Sequence, residues 1–284
     1  MKYLIAGKNG QLARAFIRRF GEKSADFLAP ERSDFDITDF NKITGVCDSY
    51  RPDVIINCAA YNFVDKAEEE SVRAFAVNAS GPKLLASAAK KHNAILVHFG
   101  TDYVFDGSKR GSGFYTEADM PNPLNRYGES KLAGERLVQE EAGRFLIFRV
   151  SWVFGEGQRN FIYRLMEWSK NKDVLQIADD EISIPTYTCT IADTVLEALG
   201  EGLCGLYHLT SRGSCSRYEW ASLVLKSLGV KKIIEPVPMN TFKLPARRPG
   251  FSAMSNEVIS GALKASIPGW DKEVELFLKE SFPG

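Results

Sequence analysis

Disulfide chemistry, metal ligation and charge of one sign are all poorly represented in this chain. Its five cysteines (Cys47, Cys58, Cys189, Cys204, Cys215) are odd in number and form no Cys-x-x-Cys pair. This argues against a disulfide framework or a thiolate zinc site and for reduced thiols in a reducing compartment. Three histidines scattered over 284 residues offer no metal constellation. Thirty-six basic residues balance thirty-six acidic ones, so neither a nucleic-acid surface nor a membrane-seeking basic face is indicated. No apolar run approaches the roughly 18 residues of a membrane span, and the short one in MKYLIAGKNG meets glycine at once. Neither a signal peptide nor a membrane helix is expected. What remains is a soluble cytoplasmic protein whose partners are small molecules or another protein chain.

What is present is alternation. The runs YLIAG, DVIINCAA, AILVHFG and FLIFRV, with a weaker DFLA, read as buried strands. Between them lie the helical patterns QLARAFIRRF, NKITGVCDSY, AEEESVRAFAV, PKLLASAAKK and SKLAGERLVQEE. Strand and helix in turn imply βαβ units, hence an α/β fold with a doubly wound parallel sheet. After Val150 the rhythm loosens, and TIADTVLEALGEG and GLYHLT are expected to return to the first sheet as helix and strand. Residues 1–150 with about 187–213 therefore form one domain, and about 151–186 with 214–284 a smaller, interwoven α/β lobe over a cleft.

The first run ends in AGKNGQLARAF. Gly7 and Gly10 at a strand end allow a tight turn and let a pyrophosphate approach backbone N–H groups at a helix N-terminus. Gly7, Lys8, Asn9, Gly10, Gln11 and Leu12 are thus candidate cofactor contacts, although a plain βα turn also accounts for the glycines. Near the second strand, FLAPERSDFDITD offers Glu31 for a ribose diol and Arg32 for a 2'-phosphate. Arg32, with Lys8 as a second phosphate contact, favours NADPH with NADH tolerated; both charges also suit a solvated surface. Asp36 and Ile37 fall where an adenine would be hydrogen-bonded and sandwiched.

In an open parallel sheet, ligands bind outside the carboxyl ends of the strands. There NCAAYNFVDKAE supplies the small Cys58, Ala59 and Ala60, which let a nucleotide lie flat, followed by Tyr61. FGTDYVFDG supplies Thr101 and Asp102, and RVSWVFGEGQRNF supplies Trp152, an indole able to stack on a base or sugar. Thr101 and Asp102 also fit a turn cap, and Trp152 also fits interdomain packing. The segment NRYGESKLAGE holds the chain's only Tyr with a Lys four residues on, Tyr127 and Lys131, which share a helix face. An exposed helical pair is the bland alternative, but the pair follows the Thr101 strand and so belongs to the same sheet edge.

The glycine loop, NCAAYNFVDKAE, GTDYVFDG, YGESK, RVSWVFG and ARRPGFSAMSN, in this order over nearly the whole chain, resemble the extended short-chain dehydrogenase/reductase family. The resemblance implies a Rossmann-type domain with a small C-terminal sugar-nucleotide lobe. It implies NADPH-dependent reduction of dTDP-4-dehydro-L-rhamnose to dTDP-L-rhamnose, a dTDP-sugar for cell-surface polysaccharide precursors. Thr101, Tyr127 and Lys131 become the catalytic set, with Tyr127 and Lys131 also on the cofactor. Asp102, Tyr103 and Trp152 become substrate contacts beside Thr101, while Asn160 and Arg247 or Arg248 meet the diphosphate. Some relatives use magnesium, for which the sequence shows no ligand set, and a homodimer through sheet-flanking helices is a plausible assembly. Three positions depart from the family pattern: Ala13 and Ser183 stand where glycine is common, and Gly100 where serine is usual. The first and third bear on packing, and Ser183 has no consequence legible in the sequence. Two other readings stay open: another sugar-nucleotide 4-ketoreductase or epimerase, or a non-catalytic regulatory subunit.

The chemistry these residues suit is carbonyl reduction. A ketone accepting hydride develops charge on oxygen that a proton donor and hydrogen bonds must meet. Tyr127 would supply the proton. A phenol titrates near 10, so Lys131 one turn on is expected to favour its ionised form. Thr101 would hydrogen-bond the carbonyl oxygen.

Overall fold

The structure is a computed structural model that describes residues 1–111, 113–157 and 160–282. The first half alternates as the sequence suggests. It runs β1 (Lys2–Ala6), α1 (Gln11–Glu22), β2 (Asp26–Leu28), α2 (Phe40–Tyr50), β3 (Val54–Asn57), α3 (Lys66–Glu69) and α4 (Ser71–Phe75). A π-helical turn at Ala76–Ser80 leads into α5 (Gly81–Lys91), followed by β4 (Ile95–Thr101), α6 (Arg126–Glu141) and β5 (Arg144–Val150). Every residue of β3 and β4 is buried, which is why these strands read as unbroken apolar runs: a sheet covered on both faces has no solvent side to alternate with.

The second half is made of shorter pieces. These are β6 (Val153–Phe154), α7 (Phe161–Asn171), β7 (Val174–Ala178), β8 (Ile182–Ser183), β9 (Thr186–Tyr187) and α8 (Thr188–Gly200). Then come β10 (Gly205–His208), β11 (Cys215–Ser216), α9 (Arg217–Ser227), β12 (Ile233–Val237), α10 (Glu257–Leu263) and α11 (Trp270–Ser281). The long late stretch is pinned by strand pairs, β7 with β12 and β8 with β11, and by a bridge from Ile182 to Phe251.

One six-stranded parallel sheet organises the molecule, in the order β10-β5-β4-β3-β1-β2. GLYHLT does rejoin it: Gly205–His208 pairs with Leu146–Arg149 of β5. The preceding helix α8 packs against α1, whose Ala13, Ala15, Phe16 and Phe20 point into the core. Registers Ala6–Asn57, Asn57–His98 and Thr101–Val150 bring the carboxyl ends of β1, β3, β4 and β5 level. The strand order reverses between β1 and β3, and that reversal opens a crevice at this edge. No helix among the described residues is long and apolar enough to cross a membrane.

Candidate active site

The glycine loop is built for close approach. Gly7 has φ +81°, and a Cβ there would lie 2.7 Å from the backbone nitrogen of Ala59, so only glycine lets the loop pass the end of β3. Gly10 closes the turn with its N–H on the Gly7 carbonyl at 2.8 Å. It also begins α1 without a side-chain cap or an acidic residue in the first turn, leaving backbone N–H groups and the positive end of the helix to meet an anion. Gln11 donates to the Val153 carbonyl at 2.9 Å and accepts from Asn160 at 3.3 Å, so the loop is tied to the segment after β5. Leu12 packs on the core, as does Ala13, which is fully buried.

The charged residues near β2 are engaged with one another. Lys8 pairs with Glu31 at 2.9 Å, and Asn9 donates to the same carboxylate at 2.9 Å. Arg32, exposed, pairs with Asp36 at 3.0 Å, while Asp36 also accepts the Thr38 N–H and hydroxyl. Ile37 is buried against the start of α5, where a Cβ on Gly81 would touch it. Cys58, Ala59 and Ala60 line the end of β3 half-buried. Tyr61, by contrast, is buried, with its phenol on Glu70 at 3.1 Å and its backbone held at both ends by Asn78.

The Tyr–Lys helix is set by its cap. Asn125 has extended backbone and accepts the Gly128 N–H at 2.8 Å, starting α6 one residue before Tyr127. Its amide nitrogen donates to the Arg247 carbonyl at 2.7 Å. Tyr127 meets Tyr103 edge to face, ring centroids 5.9 Å apart, and its phenol lies beside the Thr101 hydroxyl. Burial pushes the phenol up to about 12; the Thr101 hydroxyl opposes this and the Asp102 charge adds to it. Lys131 is buried, and its ammonium donates to the Phe99 carbonyl at 2.5 Å. Burial lowers it to about 8 against the raising influence of Glu135. The phenol is therefore shifted up, the reverse of the expected direction, because burial outweighs any help from the lysine, whose proton is directed at a strand carbonyl.

Thr101 ends β4 buried and does cap a turn, accepting the Tyr103 N–H at 3.2 Å. Its hydroxyl also lies 3.2 Å from Asp102 Oδ1. Asp102 is 3% exposed, and its Oδ2 accepts Ser183 at 2.8 Å and Ser252 at 2.5 Å. It is thus surrounded by this chain's own hydroxyls. Tyr103 donates to Glu181 at 3.2 Å, and Glu181 in turn pairs with Arg217 at 3.3 Å. The Arg217 guanidinium lies 3.5 Å from the Trp152 ring centroid, and Trp152 stacks on Trp220 with centroids 5.6 Å apart. Trp152 is at φ +39°, and its indole nitrogen is buried without a hydrogen-bond partner among the described residues.

This constellation puts a protonated phenol, a threonine hydroxyl and a lysine at one strand end, on the same sheet edge as a loop shaped for a pyrophosphate. A family model described as RmlD substrate binding domain matches residues 1–282. The dTDP-4-dehydrorhamnose reductase of Aggregatibacter actinomycetemcomitans is 36% identical over 287 residues, 96% of this chain and 97% of that one. The chain belongs to the dTDP-4-dehydrorhamnose reductase family. Solved structures agree. The dTDP-4-dehydrorhamnose reductase of Clostridium acetobutylicum ATCC 824 superposes with TM-score 0.94 at 33% identity, covering 99% of both chains. That of Bacillus anthracis str. Ames, in complex with NADP, gives 0.94 at 32% identity, again over 99% of both.

Two departures from the family pattern now have physical accounts. A Cβ on Gly100 would fall 2.2 Å from Glu135 Oε1, because Glu135 and Arg149 form a fully buried ion pair at 2.9 Å beneath that strand position. Ser183 supplies a hydroxyl to Asp102. Asn160 differs from expectation: its amide hydrogens go to the Gly155 and Gly157 carbonyls and Gln11, and its carbonyl caps α7. Its side-chain amide thus shapes the loop. Arg248 is likewise committed, with two bonds to Asp65 at 3.0 and 2.8 Å. Arg247 is exposed and, among the described residues, forms no ion pair. No group of three or more His, Cys, Asp and Glu among the described residues is placed to hold a metal ion.

Sequence reasoning missed Asn125, Glu135, Arg217 and Ser252. Asn125 carried a readable signal, an Asn directly before a helix, and Arg217 sits in the capping box Ser216–Glu219. Glu135 and Ser252 carried none.

Proposed function

We propose that this chain reduces the 4-keto group of dTDP-4-dehydro-L-rhamnose to give dTDP-L-rhamnose, with NADPH. The observation that carries the reading is the placing of the Tyr127 phenol beside the Thr101 hydroxyl at the carboxyl end of β4, with the phenol held protonated. The Gly7–Leu12 loop and Cys58–Ala60 would hold the cofactor, with Arg32 toward a 2'-phosphate. When bound, NADPH supplies the hydride. A phenol raised to about 12 keeps its proton at neutral pH, which is the state required of a donor to a developing alkoxide. Thr101 offers a hydroxyl to the same oxygen. Lys131, beside the strand end, would hold the nicotinamide ribose. Trp152, Tyr103 and Arg247 would meet the sugar nucleotide.

Purified protein, NADPH and dTDP-4-dehydro-L-rhamnose should show loss of NADPH absorbance without a partner protein. A panel of other 4-keto sugar nucleotides tests the sugar, NADH in place of NADPH tests the cofactor, and chelation tests magnesium. Sedimentation tests the homodimer. Tyr127→Phe should lose roughly 10²–10⁴-fold in kcat, the usual size of a general-acid contribution, while still binding NADPH. Undiminished turnover by that variant would sink the mechanism.

A further inference from the structure

We propose that Ser183 and Ser252 are positioning residues that satisfy the Asp102 carboxylate and thereby leave the Thr101 hydroxyl hydrogen available to the reacting oxygens. The inference rests on the roles given to Thr101 and Tyr127 above.

Thr101 has one hydroxyl hydrogen and two claimants for it. One is Asp102 Oδ1 at 3.2 Å; the other is the substrate oxygen that Tyr127, beside it, would protonate. A buried ionised carboxylate draws strongly on any donor in reach. Here Oδ2 already takes two hydroxyls, from Ser183 at 2.8 Å and Ser252 at 2.5 Å. Both bonds lie in the normal range for O–H···O, whereas the Thr101 contact is longer than that range. The two serines therefore meet most of the carboxylate's demand, and Thr101 is held loosely.

The donors arrive from segments 81 and 150 residues away in sequence, brought together by the Ile182–Phe251 bridge. Ser183 is fully buried and Ser252 is 2% exposed, so water does not substitute freely for either hydroxyl. The same arrangement governs titration. Burial pushes Asp102 up to about 6, while the hydrogen bonds from Ser252, Ser183 and Thr101 and the Arg217 charge pull it back. Tyr103 and Tyr127 are the other titratable groups that feel its charge, with Glu181 behind Tyr103. Removing a serine raises Asp102 further and tightens its hold on Thr101 while it stays ionised.

Steady-state kinetics of Ser183→Ala and Ser252→Ala, each checked for a native thermal transition, test this. Each should lower kcat about tenfold, the scale of one ordinary hydrogen bond, with the NADPH KM unchanged. The loss should shrink as pH falls through the range in which Asp102 takes its proton, because a neutral Asp102 no longer draws on the Thr101 hydrogen. In an Asp102→Asn background the serine changes should cost nothing further in kcat, which a merely structural role would not produce. An active wild type with both serine variants at full kcat, or with a loss that does not shrink as Asp102 is protonated, would overturn the inference alone. A wild type that oxidises no NADPH with any 4-keto sugar nucleotide would overturn the reading of function beneath it.

Discussion

Asn125 is predicted to control substrate binding as well as stability, because one side chain does two jobs. Its oxygen caps α6 through the Gly128 N–H and its nitrogen holds the Arg247 carbonyl, joining the helix of Tyr127 and Lys131 to the late ARRPG segment. In Asn125→Ala the lost cap costs about 1 kcal/mol, and the unpaired Arg247 carbonyl adds about 1–2 kcal/mol. A total near 2–3 kcal/mol leaves most domains folded and should lower Tm by roughly 3–5 °C at this chain length. Asn125→Asp separates the two jobs. Aspartate caps as well as asparagine, but it turns a carboxylate oxygen toward the Arg247 carbonyl in place of a donor. It should keep the helix start and lose the tether, raising the dTDP-sugar KM about tenfold, or about 1.4 kcal/mol, with the NADPH KM unchanged. Thermal denaturation and two-substrate kinetics on both variants read this out. If Asn125→Asp binds the sugar nucleotide like the wild type, the tether argument is wrong. If Asn125→Ala melts with the wild type, the energy count is wrong.

Two further outcomes follow from buried charge. Gly100→Ser restores the residue common in the family but places a Cβ against Glu135 and 3.0 Å from Arg149 Cγ, so urea denaturation should show a loss of about 1–3 kcal/mol from overpacking; equal midpoints would contradict it. For Lys131, folding lowers the amine to about 8 from an ordinary 10.5, so between those pH values the unfolded chain binds the proton that the folded chain has released. Wild-type stability should therefore rise relative to Lys131→Met as pH increases through that window, and parallel stability curves would refute it.

The sheet was legible because burial on both faces writes itself as uninterrupted apolar runs, and even the returning strand β10 could be read from GLYHLT. The Tyr127–Lys131 pair was legible because helical spacing is local. What stayed hidden depends on segments meeting from afar. Nothing around Ser183 announces Asp102, 81 residues away, and the missing side chain at Gly100 gives no hint that Glu135 fills its place. Lys8, Glu31, Arg32 and Asp36 stand out in sequence, and only the fold shows that they pair with one another, Lys8 with Glu31 and Arg32 with Asp36. Asn160 looked like a free amide because a loop's own carbonyls are invisible until the loop is folded.

The phenol shows why spacing alone mis-stated the electrostatics. A lysine one helical turn away suggests a cation that pulls the tyrosine pKa down, yet the ammonium directs one of its three N–H groups at the Phe99 carbonyl and is itself depressed by burial. The same desolvation acts on both groups and in opposite directions on their pKa values, since it penalises whichever form is charged. Burial thus keeps Tyr127 neutral and brings Lys131 closer to neutrality. For a reaction that consumes a proton at the carbonyl oxygen, a neutral phenol with Thr101 beside it is the competent ground state. The lysine's charge becomes useful only once the phenol has given its proton away, when it would stabilise the phenolate left behind.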